Sequence, residues 1–222
     1  MGENETFLKY VCKIVDNLAT PEESTTIIGP HSGEMIKIFL KICLEPGRSV
    51  PSISSCLNVI INLIKCSQNT NLCNEYIEYV LTTYNKVHGL EQEKRELFYS
   101  GFFTMAQVCL MTIRKAGGSI TMQQLSSLYN LVVEHYKRIN DVEGDGFYIV
   151  SALAYFIPND RRLIDDFWKY IEHGLKKLNQ EEIFKSTISC ICDFATTYRE
   201  QISDKVDPII NQILELYEVT IA

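Results

Sequence analysis

The sequence predicts an all-α fold, a right-handed α-solenoid of about five antiparallel helix pairs, and three observations lead there. Apolar residues recur at i, i+3, i+4 and i+7 in nearly every ordered stretch. No segment alternates apolar and polar residues between hairpin turns, and Asp145-Gly146 stands at the mouth of a helix instead. The pattern of the later helices also returns at a fixed spacing.

Taken in order, the first helix is expected over Thr6 to Asn17. A polar loop then leads to a helix over Gly33 to Leu44, stopped by Pro46-Gly47. Ser52 to Ser67 follows Pro51, which fits a helix start because its missing N–H would have no partner there anyway. Leu72 to Val87 ends at Gly89. Glu91 to Ala116 is long and closes on Gly117-Gly118, a C-cap signal. Thr121 caps a helix reaching Arg138. Asp145 to Phe156 closes before Pro158, and Asp160 to Leu178, Gln180 to Tyr198 and Ile202 to Tyr217 complete the series.

Ten helices could form a bundle, so repetition decides between bundle and solenoid. Shifting Gly146 to Phe156 forward by about 38 residues lays Ser151 on Ser189, Ala152 on Cys190, Leu153 on Ile191, Ala154 on Cys192 and Phe156 on Phe194. Shifting Leu163 to Leu178 by about 39 lays Leu163 on Ile202, Asp165 on Asp204, Phe167 on Val206, Ile171 on Ile210 and Leu175 on Leu214. Two helices per unit of roughly 36 to 45 residues, small residues on the first and bulky ones on the second, make the HEAT or armadillo unit. The units fall at about 6–44, 52–89, 91–139, 145–178 and 180–217, with no Gly, Ser or Pro-rich linker between them. The terminal helices lack the polar outer side of a cap, so the sequence is expected to be a segment of a longer superhelix.

With 46% hydrophobic residues in 222, the chain can bury a continuous core. No run of about 18 uninterrupted apolar residues is present, so no membrane partner is expected. The polar, acidic start has no secretory signal, which leads to an expectation of cytoplasm and nucleus. A net charge of −7 and a pI near 5.2 disfavour nucleic acid and favour basic segments as partners.

The search for chemistry predicts no enzyme and no cofactor. Phosphate-cradling glycine loops, G-x-S-x-G and H-E-x-x-H are all absent. Cys12, Cys43, Cys56, Cys66, Cys73, Cys109, Cys190 and Cys192 show no C-x-x-C spacing and fall mostly among apolar residues, so they are read as reduced core packers. His31, His88, His135 and His173 are read as solvated, in loops, at helix ends or on polar faces. The paired carboxylates Glu22-Glu23, Asp165-Asp166 and Glu181-Glu182 sit in a loop or near helix N-termini, where the macrodipole favours them. Trp168 flanks the apolar stripe of Ile164, Phe167, Ile171 and Leu175; it is read as core or half-buried, with an exposed peptide anchor as the alternative.

Two stretches carry a family likeness. Glu143 to Phe156 (EGDGFYIVSALAYF), followed by Phe167 to Asn179 (FWKYIEHGLKKLN), resembles a central-to-late HEAT repeat of importin-β, the karyopherin-β family. Ile188 to Phe194, with Asp193 at the acidic position near the turn, is similar to that family's following repeat. The likeness covers about the last 80 residues, with the earlier ones sharing only helical rhythm. It implies a nuclear transport receptor segment that binds basic cargo, or the basic arm of an importin-α-like adaptor, on a concave face of second helices. It also implies binding of Phe-Gly nucleoporins between first helices and cargo release by the Ran GTPase, although the acidic loop that contacts Ran is not visible. On this basis Glu75, Glu78, Glu134, Asp165, Glu172, Asp204 and Glu215 are the candidate acids, joined by Trp168. The alternative function is a generic HEAT scaffold or regulatory subunit of a protein complex.

Overall fold

The computed structural model describes residues 3–19, 24–139, 144–177 and 179–221, with side chains for these except residues 3, 24, 25, 139, 144 and 212–221. Among the described residues the chain is all-helical and has no strand. The helices are α1 (Glu3–Ala19), α2 (Ser24–Ile27), α3 (Ser32–Cys43), α4 (Val50–Ser67), α5 (Thr70–Thr83), α6 (Gln92–Lys115), α7 (Met122–Ile139), α8 (Gly144–Ala154), α9 (Arg161–Leu175) and α10 (Glu181–Ile221). Two compact units are present, Met1–Leu128 and Tyr129–Ala222.

Local chemistry accounts for most helix ends. The Ser49 hydroxyl accepts from Ser52 N and opens α4 with Pro51 in its first turn. Asp160 accepts from Arg162 N (2.9 Å) to open α9. At α7, Thr121 Oγ1 accepts from Gln124 N (3.1 Å) while Gln124 Oε1 accepts from Thr121 N (3.0 Å), a reciprocal capping box. The expected gap between Gln180–Tyr198 and Ile202–Tyr217 appears as a break inside α10, where Tyr198 leaves helical geometry (φ −128°, ψ 35°). One expectation is corrected: the polar stretch read as a loop before Gly33 contains α2 and a 3₁₀ turn, Gly29–His31.

In the N-terminal unit α4 packs on both α1 and α6, while α3 folds back on α4 and α5 on α6. The α1–α4 contacts run in parallel register. The hydroxyls of Ser49 and Ser52 donate to Glu5, Cys12 Sγ meets Cys56 Sγ at 3.7 Å, Asn62 donates to Asp16 (2.6 Å) and Cys66 reaches the Ala19 carbonyl (2.7 Å). Tyr76 on α5 donates to the Gly33 carbonyl on α3 (3.2 Å). Leu57 of α4 fills the space beside Gly101, so that a Cβ there would meet it at 2.8 Å. By length and apolar content alone α4 and α6 could cross a bilayer. In the fold their apolar side chains are buried against neighbouring helices, the position of core helices.

In the C-terminal unit the later part of α7 lies along α9, with Tyr129 stacked on Phe167 (4.0 Å) and Tyr136 edge-on to Tyr170. The first half of α10 lies along α8 and its second half meets α9. Asp193 of α10 accepts from Ser151 and from Tyr155 (2.6 Å). The Tyr198 hydroxyl reaches the Ile157 carbonyl (2.7 Å), and burial pushes its pKa up to about 12. Gly174 of α9 is buried where Phe147 and Thr187 converge, and a Cβ there would overlap both side chains. Trp168, Phe147, Phe194 and Ile171 form the centre of this unit.

Candidate protein-binding faces

Of the proposed acids, the structure gathers two around one cation. Arg161 on the first turn of α9 pairs with Asp165 (3.0 Å) one turn on and with Asp204 of α10 (2.9 Å). Lys205 adds a second bond to Asp165 (3.2 Å) and places its ammonium 5.8 Å from the Trp168 ring. The hydrogen bond from Arg161 holds the Asp204 carboxyl below its ordinary range. These acids therefore already have cationic partners and meet a basic peptide only in competition with them. Trp168 is 2% exposed, so it packs the core and its alternative reading as a surface anchor is corrected.

Glu75 and Glu78 stand exposed on α5, and Glu134 and Glu172 stand exposed on α7 and α9. Glu215 lies outside the described side chains. Two further readings are corrected. Cys192 is exposed on α10, at the rim of an open groove of about 680 Å³ lined by Thr196, Arg199, Val206, Asp207 and Ile210. His135 is buried, because Leu128 and Leu131 share its face of α7 and draw that face inward. The other seven cysteines are buried; burial raises the Cys190 thiol, and the hydrogen bond with Cys56 followed by burial raises that of Cys12. Neither is poised as a nucleophile.

Among the described residues, four of the exposed large apolar side chains fall on α1, where the sequence reading named no site. Leu8, Cys12, Val15 and Ala19 are buried against α4. Facing away are Phe7 (70% exposed), Tyr10 (64%), Ile14 (58%) and Leu18 (50%). Spacings of three and four residues put these four side chains on one stripe about 16 Å long at 1.5 Å rise per residue. Single exposed apolar residues are ordinary, whereas these four form a contiguous row. The signal was available in the sequence as two interleaved apolar stripes on one helix.

Among the described residues no group of three or more His, Cys, Asp or Glu side chains could hold a metal ion. The chain matches no protein-family model, no curated protein and no solved structure.

Proposed function

We propose that the chain is a HEAT-type helical-repeat scaffold that binds other proteins through helix faces and carries out no chemistry of its own. The observation that carries this is the span of its long-range hydrogen bonds. Glu5–Ser49, Asp16–Asn62, Gly33–Tyr76, Tyr129–Asp166, Ser151–Asp193 and Arg161–Asp204 each join residues 37 to 46 apart, with helices meeting in parallel register. One such step is the length of a two-helix module, as stacked repeats require. Protein binding is supported by the bare apolar stripe on α1, since a large exposed apolar row favours a macromolecular partner over a small ligand. The test is cross-linking and mass spectrometry on complexes recovered with the intact chain, repeated with Ile14→Glu. Partners whose cross-links on α1 vanish in the variant support the reading; partners unaffected by it count against α1 as the binding face.

A narrower reading, an importin-β-like transport receptor segment working in cytoplasm and nucleus, draws on exposed Glu75, Glu78, Glu134 and Glu172 along the second helices. It expects salt-sensitive binding of a basic adaptor arm, and binding of Phe-Gly nucleoporin peptides; Ran contact is a further expectation of the same reading. Replacing the four glutamates by lysine should abolish the basic-peptide binding. Lack of binding to both peptide classes at low salt would sink this narrower reading and leave the scaffold standing.

A further inference from the structure

We infer that the outer stripe of α1 is the seat of an amphipathic helix whose polar edge is acidic, an inference that rests on the protein-binding reading and specifies its partner. Shape comes first. α4 lies along α1 and along α6 at once, so the layer is built of helices each using apolar residues on two sides. α1 spends one such side on α4 and presents the other, Phe7, Tyr10, Ile14 and Leu18, to solvent. The surface complementary to a helix row with spacings of three and four is another helix row.

Charge selects which helix. Two acids of α1 are turned toward α4: Glu5 accepts from Ser49 and Ser52 and pairs with Arg48 (3.7 Å), and Asp16 accepts from Asn62. Its two lysines, Lys9 and Lys13, are both exposed and line a recess with Ser55 and Asn58 of α4. Asp16 borders the same recess with its carboxylate bonded to Asn62. One edge of the stripe is therefore positive, and an incoming helix gains by carrying Glu or Asp along that edge.

A second copy of this chain fits less well. Antiparallel pairing of two α1 helices about a two-fold axis sets the lysine edges on the same side, like against like. The four side chains offer on the order of 500 Å², short of the roughly 800 Å² per partner of a standard interface.

The experiment titrates the full chain with two synthetic 18-residue amphipathic helices, identical in a leucine row but with Glu or Lys along one edge, by fluorescence anisotropy at low ionic strength. The Glu helix should bind at least about tenfold more tightly than the Lys helix. Lys9→Glu with Lys13→Glu should reverse that order, and Phe7→Ser with Ile14→Ser should abolish binding with an unchanged circular dichroism spectrum. Ile38→Ser, at an exposed apolar position on α3, should leave binding intact. Equal affinity for the two helices overturns the inference, as does binding insensitive to Phe7 and Ile14 or equally sensitive to Ile38. Light scattering on the same samples separates the two levels. Self-association that depends on Phe7 without binding of either helix overturns the acidic-helix inference and keeps the protein-binding reading; a monomer that binds neither helix counts against both.

Discussion

The two units solve the same packing problem with different chemistry. In the N-terminal unit, the middle of the parallel helices meets through thiols and aliphatic side chains, Cys12 against Cys56 and Leu57 in the space left by Gly101, and carboxylates hold only the two ends of the α1–α4 seam, Glu5 at one and Asp16 at the other. Beside them Tyr84, Tyr99 and Phe103 stack closely, with the Tyr99 hydroxyl bonded to His88 (2.6 Å). In the C-terminal unit the neighbours meet through hydroxyls and a carboxylate, with Asp193 holding Ser151 and Tyr155 and Tyr198 reaching Ile157. Helix spacing is thus a property of the fold, and the residues that enforce it are interchangeable in kind. Contacts made by side-chain ends can adapt; those made by a backbone against a ring cannot.

That contrast can be broken at its strongest point by Trp168→Ala, which empties the middle of the C-terminal unit. A loss of about 3–5 kcal/mol is expected, measured by denaturant unfolding followed by circular dichroism; a loss under about 1 kcal/mol would contradict the burial described. Next, Gly174→Ala should cost about 1–3 kcal/mol because Phe147 and Thr187 are crowded in a packed core. Gly101→Ala should cost less, since the flexible end of Leu57 can yield. Equal costs would remove the distinction between adaptable and rigid contacts. Asp193→Ala leaves the Ser151 and Tyr155 hydroxyls without their acceptor and should cost about 1–3 kcal/mol, with Asp193→Asn recovering part of it.

The smallest effect is one of pH. Hydrogen bonds from Ser49, then Ser52, hold the Glu5 carboxyl below its ordinary value of 4.5. A carboxyl lowered by folding contributes its full stabilisation above that ordinary value and loses it as pH falls through the lowered one. Melting temperatures measured between pH 6 and 3 should therefore drop more steeply for the parent than for Glu5→Gln, and parallel curves would refute the role given to Glu5.

Helix type and order were readable because caps and breakers are local: Ser49, Thr121 and Asp160 mark starts through bonds to residues two or three places away. The break at Tyr198 falls where the sequence ended one helix before starting the next. The repeat shift of 39 also had physical content, since the two aspartates it aligns, Asp165 and Asp204, share Arg161. What could not be read was which apolar stripe is covered. α1 carries two, and only its contact with α4 separates the packed row from the bare one. The end of α4 was equally obscure in kind, because Gln68 takes the left-handed conformation (φ 45°) where glycine is the usual signal. Ion pairing was hidden too, for an acid on a helix face looks the same in sequence whether or not a cation from the next helix reaches it.

Bonds that reach only 37 to 47 residues along the chain have a kinetic corollary. Each ring closed in folding is of moderate length, and lengthening a ring twofold adds only about 0.6 kcal/mol of closure entropy. A helix hairpin already formed can act as the template for the one that follows, so assembly can proceed by accretion within each unit. Under mechanical load the same arrangement would come apart in instalments, a helix or a pair at a time, and its force–extension trace would be a sawtooth of small steps.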